Sequence, residues 1–294
     1  MTASLGQRAQ TATVLATPAG AAAVLSGCGG SGSALTVPKI APAKVFSLAA
    51  LQPTTRIAAG RPTTISFTVR LPSGGPLTSY RTGPGPHTGV HLIIVRDDLA
   101  YIIHRHPPVG PDGLLRQTVA FPAPGTYKVL VDIYPNLPGG QPNFQLSQTV
   151  TVAGAYHPKP LPPFNADQTI DGYHIDMRPH PALHAVQAEF VNVEVTDAHG
   201  RKVTFIPCFG ALAHAIFFHQ GSLDYFHSHI CAPNAPNCGT LAGVSSARVT
   251  GRSTSPGSLT IGVLPPEPGT WRLFLQMKVG GRIVTAPYAL HLAT

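Results

Sequence analysis

Charged side chains are scarce in this sequence. Asp, Glu, Lys and Arg together make up 11% of its 294 residues, too few for long helices with a solvated polar face. Only three methionines occur, which counts against a methionine-rich Cu(I) carrier. The formal charge of +8 comes from Lys and Arg scattered singly, without the basic runs and interleaved aromatics that track a phosphate backbone, so nucleic acid is not an expected partner. Nucleophile elbow, zincin helix, P-loop and dinucleotide fingerprint are all missing, and no enzyme is expected. What the chain has in plenty is glycine, 30, and proline, 31, with 43% hydrophobic residues, a composition that suits many short strands joined by tight turns. Its length suits two cores of ordinary size.

The apolar segment Thr11 to Leu25 is too short and too rich in small residues for a good membrane span. With Arg8 before it, it reads as a signal peptide, residues 1–27. It ends in Leu25-Ser26-Gly27-Cys28, a tetrapeptide that resembles the bacterial lipobox, in which the cysteine thiol takes a diacylglyceryl group. The resemblance implies lipidation of Cys28, a tether over residues 28–38, and an extracytoplasmic protein held to the cell membrane by its lipid.

An internal repeat organises the rest. His91 to His106 recurs as His214 to His229, with the pattern H-x12-H-x-H at the same spacing in both. Downstream, Pro124-Gly-Thr-Tyr-Lys-Val-Leu-Val131 matches Pro268-Gly-Thr-Trp-Arg-Leu-Phe-Leu275. Strand signals fill both copies: runs of Val, Ile, Thr and aromatics bounded by Gly, Pro, Asp and Ser. The expectation is all-β, two tandem immunoglobulin-like β-sandwich domains at residues 39–153 and 167–294, joined by a proline-rich linker at 154–166.

Fourteen histidines are present and none precedes His87. If the first hairpin turns about Asp97-Asp98, His91 faces His104; if the second turns about Gln220-Gly221, His214 faces His227. Strand alternation puts His106 and His229 on the same faces. Opposed strand residues have Cβ atoms roughly 4.5 to 5.5 Å apart, close enough for two rings to share an ion bound at roughly 2.0 to 2.1 Å. Imidazole suits copper and zinc, so the expected ligands are His91, His104 and His106 in one copy and His214, His227 and His229 in the other, one ion each. Affinity should then fall below the imidazole pKa of roughly 6.5. Lone histidines are more often plain sandwich residues, and the alternative is a structural or adhesive tandem module that holds no ion and contacts an envelope protein.

His87, on the loop entering the first hairpin, and Cys208 are weaker candidate ligands. Among the cysteines, Cys231 and Cys238 would close a proline-rich loop with a chain-entropy gain of roughly 2 to 3 kcal/mol, and that pairing is the default disulfide. Cys208 joined to either of them is its rival.

The pattern from His91 through His106-Pro107, followed by Phe121-Pro-Ala-Pro-Gly-Thr-Tyr127, resembles secreted actinobacterial sandwich lipoproteins and, more distantly, YtkA-like and copper-resistance modules. The resemblance covers about residues 60–152 and 186–292, and it implies an immunoglobulin-like fold and metal handling. The second copy departs from it, with Ile230-Cys231 where the first has Pro107.

Overall fold

The computed structural model describes residues 45–82, 88–230 and 255–294; of His229 it describes the backbone alone. The expected signal peptide and tether, Cys28, His87, Cys231 and Cys238 lie outside the described residues. Residues 44–294 form one compact unit. Every regular element described in it is a strand, as the runs of β-branched and aromatic residues dictate.

The first copy supplies β1 (Ser47–Gln52), β2 (Ile57–Ala58), β3 (Pro62–Arg70), β4 (Val90–Arg96), β5 (Ile102–Arg105), β6 (Leu114–Ala120), β7 (Gly125–Ile133) and β8 (Phe144–Ala153). The second supplies β9 (Asp167–Ile170), β10 (Tyr173–Asp176), β11 (Leu183–His184), β12 (Glu189–Asp197), β13 (Ala213–His219), β14 (Tyr225–Ile230), β15 (Ser258–Val263), β16 (Gly269–Val279) and β17 (Arg282–Ala293). Each copy is a two-sheet, immunoglobulin-like sandwich. One sheet is β1-β3-β6 in the first copy and β15-β12-β10-β9 in the second. The other is five-stranded with one topology in both copies, β2-β8-β7-β4-β5 and β11-β17-β16-β13-β14, and in each its first strand joins in parallel.

Inside each sandwich, alternate residues of facing strands make the core. Phe67, Leu92, Ile94, Tyr127 and Val131 do so in the first copy, and Phe205, Phe217, Trp271, Leu273 and Leu275 in the second. The opposite parity of β4 and β13 would normally meet water. Here β4 is buried along its whole length, because Ile93, Val95 and Leu130 of the first copy pack on Ile216, Phe218 and Phe274 of the second. The two five-stranded sheets therefore meet through their outer faces and share a third core. At roughly 1.5–3 kcal/mol per fully buried large apolar side chain, that core is a substantial gross stabilisation. Lys128 adds a link, its Nζ donating to the Leu223 carbonyl at 2.7 Å. The linker is docked too: Tyr156 donates to Asp97 Oδ1 at 2.5 Å, and the Lys159 amide donates to Asp98 Oδ2 at 2.8 Å.

Both hairpin registers differ from the expected ones by two residues. Ile93, and not His91, faces His104; His214 faces His229, and His227 faces Ile216. The cause is the turn. Four residues rather than two connect the strands, closed by Arg96 N–H to the Tyr101 carbonyl (3.1 Å) and His219 N–H to the Asp224 carbonyl (2.8 Å). Leu99, third in the first turn, and Leu223, fourth in the second, take positive φ values of 60° and 56°. An even displacement leaves every side chain on its expected face, so the histidines still share one side of each sheet.

Candidate metal centre

The shared face of the two sheets is where the histidines come together. His91, on β4, is level with Asp132 on β7; His214, on β13, is level with Gln276 on β16. His104 and His227 sit on the flanking strands β5 and β14. Because the sheets pack face to face, the two expected sites become one cluster. The ring centroids of His91 and His227 are 5.2 Å apart, and those of His104 and His214 are 5.1 Å apart. Contacts are exchanged between copies as in a two-fold interface: His104 meets Gln276, while His227 falls beside Asp132, the position equivalent to Gln276.

Proton positions follow from the hydrogen bonds. Gln276 donates through Nε2 to Thr285 Oγ1 (3.1 Å), so its Oε1 accepts from His104 Nδ1 (3.1 Å). A neutral His104 then carries its lone pair on Nε2. That atom lies 3.3 Å from Nε2 of His106. Ligand atoms of His91, His104 and His106 all lie within 4.8 Å of one another. Over them lies the second copy's Phe209, stacked on His106 at 4.2 Å and 6°; its φ of +49° turns the loop so that the ring reaches across.

His214 uses both ring nitrogens. Its Nε2 donates to the Cys208 carbonyl at 2.8 Å, and its Nδ1 is 2.9 Å from Nε2 of His227. Cys208 thus reaches the cluster by its backbone oxygen. Its thiol is a buried free cysteine among the described residues, and burial pushes the thiol pKa up, away from the thiolate that a ligand needs.

Burial keeps His104, His106 and His214 neutral at ordinary pH. Desolvation, with the His214 charge second, pushes His106 down to about 3, and desolvation brings His214 to about 4. His104 is held well below the usual imidazole range by burial, then by the neighbouring His214, His106 and His91. Proton competition with a metal therefore sets in at a lower pH than the ordinary imidazole value suggests. Asp132 moves the other way. Burial raises it to about 6 against the lowering effect of hydrogen bonds from Asn143 and Tyr134.

Asp132, Tyr134, Phe209, Tyr225 and Gln276 are members that sequence reasoning missed. Two of them had a signal. Asp132 and Gln276 follow the matched segments at equivalent positions, each a polar residue at the end of an apolar run.

Residues 168–294 match the model of a family described as a domain of unknown function, DUF8832. No curated protein matches the chain. Among solved structures the chain is similar to invasin, a bacterial integrin-binding protein, at 15% identity and a TM-score of 0.23, covering 85% of this chain and 40% of that one. It is also similar to domains 4 and 5 of the S-layer protein SbsC, at 12% identity and 0.22, covering 85% and 98%. A tetra-tandem repeat from the extending region of a large adhesion protein is similar at 11% identity and 0.25, covering 84% and 48%. Overlap this low bears on neither the placement of the copies nor their function. No YtkA-like or copper-resistance family is shown by these matches.

The Gln276 contact gives a direct prediction. Partners that orient a ligand histidine are typically worth 10- to 100-fold in metal affinity. Gln276→Leu should weaken Zn2+ binding within that range and leave stoichiometry unchanged, as read by competition with a chromophoric chelator; unchanged affinity would remove Gln276 from the centre.

Proposed function

We propose that the protein is an extracytoplasmic, lipid-anchored tandem sandwich that binds one Cu or Zn ion between its two copies through His91, His104 and His106. The observation that carries this reading is the 3.3 Å between Nε2 of His104 and Nε2 of His106. Two bonds of about 2.0–2.1 Å at a tetrahedral angle set their donor atoms about 3.3–3.4 Å apart. The same distance also lies within hydrogen-bond range. The pair has the spacing of two nitrogens that share one ion. Stoichiometry should be one rather than two, because both nitrogens of His214 are engaged in orienting its neighbours. Calorimetric titration of the full chain with Zn2+ at pH 7 should give one ion per chain; no saturable binding of either Zn2+ or Cu2+ would sink the proposal.

A second reading has its own support. The apolar contact of Ile93, Val95, Leu130, Ile216, Phe218 and Phe274 holds the copies together without an ion, and His214 and His227 already bond to each other at 2.9 Å. A structural or adhesive tandem module, contacting another envelope protein, needs nothing more. Failure of the metal titration leaves that reading in place.

Anchoring is tested separately. Cys28→Ala should release the protein from the membrane fraction and abolish fatty-acid labelling; labelling that survives the substitution would contradict the anchor.

A further inference from the structure

The three-histidine set accounts for neither the carboxylate nor the second copy's flanking-strand histidine. Asp132 is 2% exposed, on the same face of β7 as Leu130, and ligand atoms of His91, Asp132 and His227 lie within 4.8 Å of one another. The hydrogen-bond chain fixes which nitrogen His227 offers. A carbonyl only accepts, so the proton of His214 is on Nε2, toward Cys208; Nδ1 of the neutral ring accepts from Nε2–H of His227. Nδ1 of His227 is left with the lone pair. A neutral imidazole whose other nitrogen donates to a fixed acceptor is oriented and made more basic, as metal-binding histidines generally are. The carboxylate is oriented as well: Tyr134 donates to its Oδ2 at 3.3 Å and Asn143 to its Oδ1 at 3.4 Å. A carboxylate has about four lone-pair positions, so these bonds leave room for an ion.

We propose a second metal position, made by His91 and Asp132 of the first copy and His227 of the second, that takes a divalent ion of the Fe2+ or Mn2+ class. Two imidazoles and one carboxylate suit such ions, whereas three imidazoles suit copper and zinc. This inference deepens the metal reading above and rests on it for the role of His91. A neutral imidazole has one lone pair, so His91 serves one ion at a time and the two positions exclude each other. Tyr225 lines a cleft of about 380 Å³ with Lys128, Leu130, Gln145 and Asp224.

The test titrates the full chain with Mn2+ and follows loss of the free-ion electron paramagnetic resonance signal. One Mn2+ should bind per chain, and Zn2+ should displace it one for one. Asp132→Asn, which keeps the shape and an acceptor for Tyr134, should weaken Mn2+ binding by about 100-fold or more and change Zn2+ affinity by less than about threefold. His227→Gln should act alike, and His104→Gln with His106→Gln should do the reverse. Full Mn2+ affinity in both Asp132→Asn and His227→Gln overturns the second position, as does a parent protein that binds Zn2+ but no Mn2+, or that binds both ions together. A parent protein that binds Mn2+ but no Zn2+ would sink the three-histidine reading instead.

Discussion

Replacing His104 and His106 together by glutamine should lower Zn2+ affinity by about four orders of magnitude. Structural zinc sites with four protein ligands gain about 10–16 kcal/mol on binding, or about 3 kcal/mol per ligand. Losing two removes about 6 kcal/mol, which corresponds to about 10^4 in the binding constant. Glutamine is chosen because it keeps a polar group beside Gln276, so the variant should remain folded and its far-ultraviolet dichroism unchanged. His214→Gln is the comparison. That ring orients His227 from the side, and its loss should cost far less Zn2+ affinity than the double substitution. Retention of Zn2+ affinity within tenfold in the double variant would contradict the assignment of ligands.

Acid should destabilise the metal-free protein, by about 3 kcal/mol between pH 7 and pH 5. An unfolded histidine takes up its proton near pH 6.5, whereas folded His106 and His214 wait until about 3 and about 4. Their folded pKa values lie below the unfolded one, so the unfolded chain binds more protons throughout that window. The stability they confer is complete above pH 6.5 and is lost progressively as the pH falls, each histidine giving up about 2 kcal/mol by pH 5. His104 shifts in the same direction and adds to the loss. Asp132 opposes it. Its folded pKa of about 6 lies above the ordinary carboxylate value, so the folded state takes up that proton first and recovers about 1 kcal/mol over the same interval. The urea midpoint should move down by about 1 M from pH 7 to pH 5, for a slope of about 3 kcal/mol per M. Equal midpoints at the two pH values would mean that the rings are not buried as described.

The fold was largely legible in the sequence because the repeat and the strand alternation are local signals. Two hairpins with histidines at the same parity could only present them on one face, and a two-residue error in register did not change that. The register itself was not legible. Asp97-Asp98 and Gln220-Gly221 read as two-residue turns, and the left-handed conformations of Leu99 and Leu223 that lengthen both loops have no sequence signature. Strands β1 and β6 carry too little apolar alternation to stand out, and they form by pairing with β3.

The meeting of the two sheets was hidden for a different reason. Treating each copy as a unit with one wet face placed the histidines at two separate hairpin ends. Leu92-Ile93-Ile94-Val95 and Ile216-Phe217-Phe218 are apolar at both parities, which is how a strand buried on both faces reads. Taken that way, the outer faces need covering, and the nearest matching surface is the other copy. Asp132 and Gln276 then become polar residues inside an interface rather than strand ends.

X-ray absorption at the zinc edge of the full-length protein, loaded with one equivalent of Zn2+ at pH 7, tests the central claim most directly. The account predicts a shell at about 2.0–2.1 Å containing three imidazole nitrogens, with the outer-shell scattering of rigid rings, and loss of that ring scattering in the His104→Gln, His106→Gln variant. A shell without imidazole scattering, or a spectrum that the double substitution leaves unchanged, would contradict it.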